Sequence, residues 1–169
     1  MKIIGILLII AVSSLFGIMK SGEYKERVRQ LEQIISLVSR IKTEIRYKAS
    51  PLSQILGGTC GVKEFEGIPF LNSWSEHLSN GGAVYQSLSL AMKENQSKLR
   101  ISKIDCDLIY SFARSLGTSD IDGQIANCDL HLNLFKRALE EARTQNDTMG
   151  KLCITLGALC GLGLAIFFI

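Results

Sequence analysis

The last third of the chain, Leu116 to Ile169, changes along its length from a one-sided apolar stripe to a run that is apolar on every side. The stretch opens at Leu116-Gly117-Thr118-Ser119-Asp120, where Gly117 suits a left-handed helix end and Ser119 suits the opening of the next helix. Asp120 and Asp122 place carboxylates near the free N–H groups of that new first turn. Apolar side chains then recur at Ile121, Ile125, Cys128, Leu132, Phe135, Leu139 and Ala142. These alternating four- and three-residue steps predict a helix that packs lengthwise against a partner. Gly123 is the one weak helix former in the stripe, and no proline interrupts it. A polar turn, Thr144 to Thr148, leads into Leu152–Ile169. The pattern predicts one helix that leaves a polar bundle and enters a lipid bilayer.

A second apolar run lies at the other end. Ile3 to Met19 is uncharged between Lys2 and Lys20, and at about 17 residues it sits at the lower limit for spanning a bilayer. A signal peptide with Ala11-Val12-Ser13-Ser14 near its cleavage site is the alternative. The run continues past that point through Leu15, Phe16 and Ile18, which favours an uncleaved anchor. Lys20, Lys25, Arg27 and Arg29 flank the first run on its inner side, and Arg143 and Lys151 precede the last. The positive-inside rule then places the middle of the chain in the cytoplasm.

With only two prolines among 169 residues, and good helix formers throughout, the expected fold is all-α. Val28, Leu31, Ile34, Ile35, Val38, Ile41 and Ile45 extend the first helix as one rod to about Tyr47. Ser50-Pro51 reads as the cap and first position of a short helix that Gly57-Gly58 ends. Phe70, Leu71, Trp74 and Leu78 suit a helix ending near Asn80-Gly81-Gly82, and Val84, Leu88, Ala91 and Met92 suit another. Ser102 with Asp105 is a helix-start signal, followed by Ile104, Leu108, Ile109, Phe112 and Leu116. The expectation is an antiparallel bundle of about six helices whose long first and last members extend into transmembrane segments. Its divisions are 1–19 as the first span, 20–150 as a cytoplasmic helical bundle and 151–169 as the second span.

Chemistry is sparse. His77 and His131 stand alone, without acidic residues or cysteines at ligand spacing. Cys60, Cys106, Cys128, Cys153 and Cys160 are odd in number and contain no CxxC, which argues against a disulfide framework. Gly57-Gly58-Thr59-Cys60-Gly61 lacks the lysine of a phosphate loop and reads as a turn. Gly157 and Gly161 form a Gly-x-x-x-Gly pair that suits a close helix contact in the membrane, and also arises by chance in glycine-rich spans. The formal charge of +3 gives no footing for nucleic acid. No catalytic, cofactor-binding or metal-ligating constellation emerges, and the expected class is non-enzymatic. A membrane enzyme or a transport subunit is the alternative. Ion transport calls for polar groups inside the spans, and these hold only Ser13, Ser14 and Thr155.

Several short stretches, taken in order, resemble the stage III sporulation protein AB family of endospore-forming bacteria. They are Arg29-Gln30-Leu31, Thr43-Glu44-Ile45-Arg46-Tyr47 with Ser50-Pro51-Leu52, Leu116-Gly117-Thr118-Ser119-Asp120 with Gln124, and Lys151-Leu152-Cys153-Ile154-Thr155-Leu156-Gly157. Thr59 to Leu99 has little counterpart, and an expected Ala-Trp pair is replaced by Ala83-Val84-Tyr85, so those positions inherit nothing. The resemblance implies a domain similar to those of type II secretion F platform proteins, anchored in the membrane between mother cell and forespore. It implies as partners a secretion-type ATPase encoded alongside and other proteins of the channel complex, with a homo-oligomer possible. Glu44, Tyr47, Asp120 and Gln124 match recurrent positions of the family and are the partner-contact candidates. Helix-end duty is the structural alternative for them.

Overall fold

The computed structural model describes the backbone of residues 2–48, 50–150, 152 and 155, and the side chains of residues 15, 18–48, 50–149, 152 and 155. Among the described residues there are six α-helices and no strands. They are α1 (Lys2–Lys48), α2 (Leu52–Gly57), α3 (Leu71–Ser79), α4 (Val84–Glu94), α5 (Lys103–Ser115) and α6 (Ile121–Gln145), and a π-helical turn, Asn146–Gly150, follows.

The chain divides into two compact units, Met1–Val28 with Glu140–Ile169, and Arg29–Leu139. In the first, Arg27 is buried and donates through Nη1 to Gln145 Oε1 at 2.7 Å. Ser21 and Ala142 are buried in it as well. The run at 3–19 is helical as part of α1, but most of its side chains, and most of the run at 152–169, lie outside the described residues. Among the described residues no helix is long and apolar enough to cross a membrane.

The second unit holds the main core. From α1 it takes Leu31, Ile34, Val38 and Ile41, buried as the helical spacing of that stripe predicts, and Leu37, which lies outside the stripe; Ile35 and Ile45 are half-buried. Phe70 and Trp74 form an aromatic pair with centroids 6.5 Å apart, and Trp74 Nε1 donates to Val84 O, tying α3 to the start of α4. Two glutamines of α1 fix the connecting segments. Gln33 Oε1 accepts from Gly67 N at 2.7 Å. Gln30, itself buried, bonds both Lys98 O and Arg100 N. These bonds satisfy backbone groups that the irregular segments leave open.

Three local expectations shift on inspection. α2 begins at Leu52 with Pro51 in the cap position, φ −58° and ψ 143°, and no side-chain cap, so Ser50 does not cap it. A proline at that place has no N–H to satisfy and is already extended. At α6 the cap is Asp120, whose Oδ1 accepts from Gly123 N at 3.0 Å, rather than Ser119. A Cβ at Gly123 would lie 2.8 Å from that oxygen, which accounts for a glycine inside the helix. The start of α5 is as expected: Ser102 Oγ accepts from Asp105 N, and Asp105 Oδ2 accepts from Ser102 N.

The third shift concerns the seam of α6. Cys128, Phe135, Leu139 and Ala142 are buried as the stripe predicts, and Gln124, His131 and Ala138 are buried beside them. Ile121 is half-exposed, and Ile125 and Leu132 are only partly covered. The helix is therefore turned to bury two polar side chains. His131 lies between the rings of Phe112 and Phe135, with centroids at 5.3 and 6.4 Å. Its Nδ1 meets Asn127 O at 3.0 Å, which assigns that nitrogen the proton. Lys42 Nζ pairs with Asp129 Oδ1 at 2.5 Å and joins α1 to α6.

Candidate docking site

Five helices begin or end around one apolar cleft in the second unit. Ile45 comes from the end of α1, Ser50 and Leu52 from the start of α2, and Val84 from the start of α4. Leu116, Gly117, Ser119, Ile121 and Gln124 come from the α5–α6 junction, and Ile55 completes the lining. The cleft encloses about 210 Å³. That is smaller than the roughly 300–1,000 Å³ of sites for cofactors and drug-sized ligands, and suits one or two protein side chains.

The α5–α6 junction is built around Gln124. Gly117, at φ 78°, reverses the chain in a region that L side chains avoid. The reversal leaves the last carbonyls of α5 without helical partners. Gln124, 6% exposed, meets one of them: its Nε2 donates to Ser115 O at 3.2 Å, which Thr118 Oγ1 also reaches, and to Ser119 Oγ at 2.9 Å. Its Oε1 accepts from Gly117 N at 3.1 Å. The turn therefore holds its shape through a side chain of the next helix, and that shape forms one wall of the cleft.

Beside this cleft lies a polar one of about 270 Å³, with which it shares Ser50 and Ile55. Arg40, Glu44 and Lys48 project into it from α1, opposite Gln54 and Gly58. Glu44 pairs with Lys48 at 3.1 Å, and Arg40 Nη2 donates to Gly58 O at 3.2 Å.

The four partner-contact candidates are thus distributed unequally. Gln124 lines the apolar cleft from a buried position, and Glu44 lines the polar one. Asp120 is exposed between Ser119 and Ile121 of the rim and caps α6. Tyr47, 77% exposed, lines neither cleft. Sequence reasoning passed over Arg40, Leu52, Leu116 and Ile121 as site residues. Arg40 had no motif around it, Leu52 stood only within a family motif, and Leu116 and Ile121 read as apolar helix positions.

The remaining chemical candidates take structural places. Burial pushes the Cys128 thiol up to about 11, helped by the neighbouring Asp129 and opposed by Lys42. Cys106 is raised by burial and by Asp105 and Asp107. Neither is poised as a thiolate nucleophile. His77 faces Glu94 at 3.0 Å across α3 and α4, and Gly57–Gly61 forms the end of α2 and the turn after it. Cys153, Cys160 and the Gly157–Gly161 pair lie outside the described residues.

Comparison with known proteins agrees with this architecture. The sequence profile of the family described as stage III sporulation protein AB matches residues 2–169. Stage III sporulation protein AB of Bacillus subtilis (strain 168) is 24% identical over 166 residues, spanning 96% of this chain and 95% of its own. A solved structure of stage III sporulation protein AB (SpoIIIAB) superposes with a TM-score of 0.60 at 21% identity, covering 72% of this chain and 96% of that one. At that identity the likeness speaks for the fold. The profile match over nearly the whole sequence decides the family: this chain belongs to the stage III sporulation protein AB family.

Proposed function

We propose that this chain is a non-enzymatic, membrane-anchored assembly component of the channel complex between mother cell and forespore, and that its helical bundle docks a secretion-type ATPase. In this reading residues 1–19 and 151–169 are the membrane spans, and 20–150 is a cytoplasmic platform. Other proteins of the complex, and further copies of this chain, are its neighbours in the membrane. The observation that carries the reading is the convergence of Thr43–Leu52 and Leu116–Gln124. These stretches are far apart in sequence, yet they line one apolar cleft whose shape is fixed from inside by Gln124. A half-exposed isoleucine, Ile121, stands at its edge. Small apolar clefts framed by polar groups are where protein interfaces concentrate their binding energy.

The experiment is a binding measurement between the full-length chain in lipid nanodiscs and the purified ATPase. Ile121→Asp is expected to weaken binding by about tenfold or more, the scale on which interface anchors act. Its thermal melting is expected to stay within about 0.5 kcal/mol of the parent, as is usual for exposed positions. Failure of the parent chain to bind the ATPase, or binding indifferent to Ile121→Asp, overturns this reading.

A further inference from the structure

We infer that the paired clefts recognise a partner segment of particular chemistry: one bulky apolar side chain with a carboxylate close to it in sequence. The apolar group seats among Leu52, Leu116 and Ile121, and the carboxylate is received by Arg40. The inference rests on the docking reading above and specifies the occupant.

Two observations carry it. The first is the adjacency of the clefts, which share Ser50 and Ile55 as a dividing wall, so that one short segment can enter both. The second is the charge of the polar cleft. Its lining holds three charged side chains, Arg40, Glu44 and Lys48. Glu44 and Lys48 are an ion pair at 3.1 Å and cancel one another. Arg40 is met by a neutral carbonyl, Gly58 O at 3.2 Å, and not by a carboxylate. Glu44 and Glu64 share a further cleft with Arg40, and neither makes an ion pair with it.

Arg40, half-buried at the cleft, therefore makes no ion pair among the described residues and keeps its guanidinium open to an incoming carboxylate. The bond to Gly58 O orients the guanidinium, and the rest of its planar fork matches a carboxylate in geometry. An arginine beside an apolar pocket is a composition typical of interface hot spots. One cation beside so small an apolar cleft is too little for nucleic acid, which takes several phosphate contacts.

The test selects peptides from a random 12-residue phage library against the full-length chain in lipid nanodiscs. The expected consensus is a large apolar residue with Asp or Glu within about four positions, the reach of neighbouring side chains on a helix. Affinity is then read by fluorescence polarisation with a labelled peptide from that selection. Arg40→Ala is expected to weaken it by about tenfold or more, as loss of a charge-assisted bidentate contact does. Arg40→Glu abolishes it, and the same peptide with its acid changed to Lys binds Arg40→Glu again. That exchange keeps the test independent of any loss of folding in the arginine variants. Selection without a consensus, a consensus lacking the acid, or an Arg40→Ala effect within twofold overturns the inference. If the peptides behave as expected and the ATPase does not bind, the named partner falls and the recognition chemistry stands. If the ATPase binds through Ile121 and the acidic consensus is missing, the recognition chemistry falls alone.

Discussion

Gln124 and Tyr47 show how differently two recurrent polar positions serve. The Gln124 amide closes the α5–α6 junction with bonds to Ser115 O, Gly117 N and Ser119 Oγ, all from a buried site. Removing it leaves Gly117 N without its partner and takes one of two donors from Ser115 O, which Thr118 Oγ1 also meets at 3.0 Å. Gln124→Ala is therefore expected to cost about 1–3 kcal/mol in chemical denaturation of the full-length chain. Tyr47 is 77% exposed, and Tyr47→Ala is expected to change stability by less than about 0.5 kcal/mol. Any partner deficit in Gln124→Ala then follows loss of the cleft wall, whereas one in Tyr47→Ala is a lost contact. A neutral Gln124→Ala would show that water or a neighbouring group takes over its bonds. The sequence marks both residues as equivalent polar positions. Only burial separates them, and burial is a property of the packed neighbours rather than of the residue.

At the scale of the helix, α6 shows why a hydrophobic pattern locates an element but not its rotation. The four- and three-residue steps at 121, 125, 128, 132, 135, 139 and 142 predict a long packed helix, and one runs from Ile121 to Gln145. The buried flank follows Gln124, His131 and Ala138 instead of Ile125 and Leu132. Glutamine and histidine count as surface residues in any apolar pattern, so the pattern cannot place them inside. Their burial is tolerated because Gln124 satisfies a helix end and His131 reaches Asn127 O. A measurable order of sensitivity follows. Phe135, fully buried, is expected to cost about 3–5 kcal/mol as Phe135→Ala. Leu132→Ala, at a half-buried site, is expected to cost less than about 2 kcal/mol. Equal losses at the two sites would return the seam to its purely apolar phase. The ends of the helices were more legible. Ser102 with Asp105, Gly117 and Asn80-Gly81 carry local signals that need no tertiary partner. The offsets at Ser50 and Ser119 are of one residue. In each case a neighbour, Pro51 or Asp120, occupies the cap position.

For the whole molecule, the proposed membrane topology predicts an orientation set by the two flanks. Lys20, Lys25, Arg27 and Arg29 follow the first apolar run, and Arg143 and Lys151 precede the last. Not all of these cations are free surface charges. Lys20 pairs with Glu23 at 2.9 Å, and Arg27 is buried with its guanidinium on Gln145. The positive-inside bias depends on the number of lysines and arginines near the span, with little offset from nearby acids, so the Lys20–Glu23 pair does not weaken it. In the proposed topology both flanks point the same way, and the segment between them is expected in the cytoplasm. A single cysteine at Glu94, in a chain whose own cysteines are replaced by Ala, tests this. Glu94 is half-exposed on α4, and the pair it forms with His77 at 3.0 Å is of the surface kind, worth about 0–1 kcal/mol. The substitution therefore leaves the fold in place and the thiol open to reagent. In intact cells the site is expected to resist a membrane-impermeant maleimide, and to label once the membrane is permeabilised. Labelling in intact cells would put the bundle on the outer side, away from any cytoplasmic ATPase, and the docking function would fall with the topology.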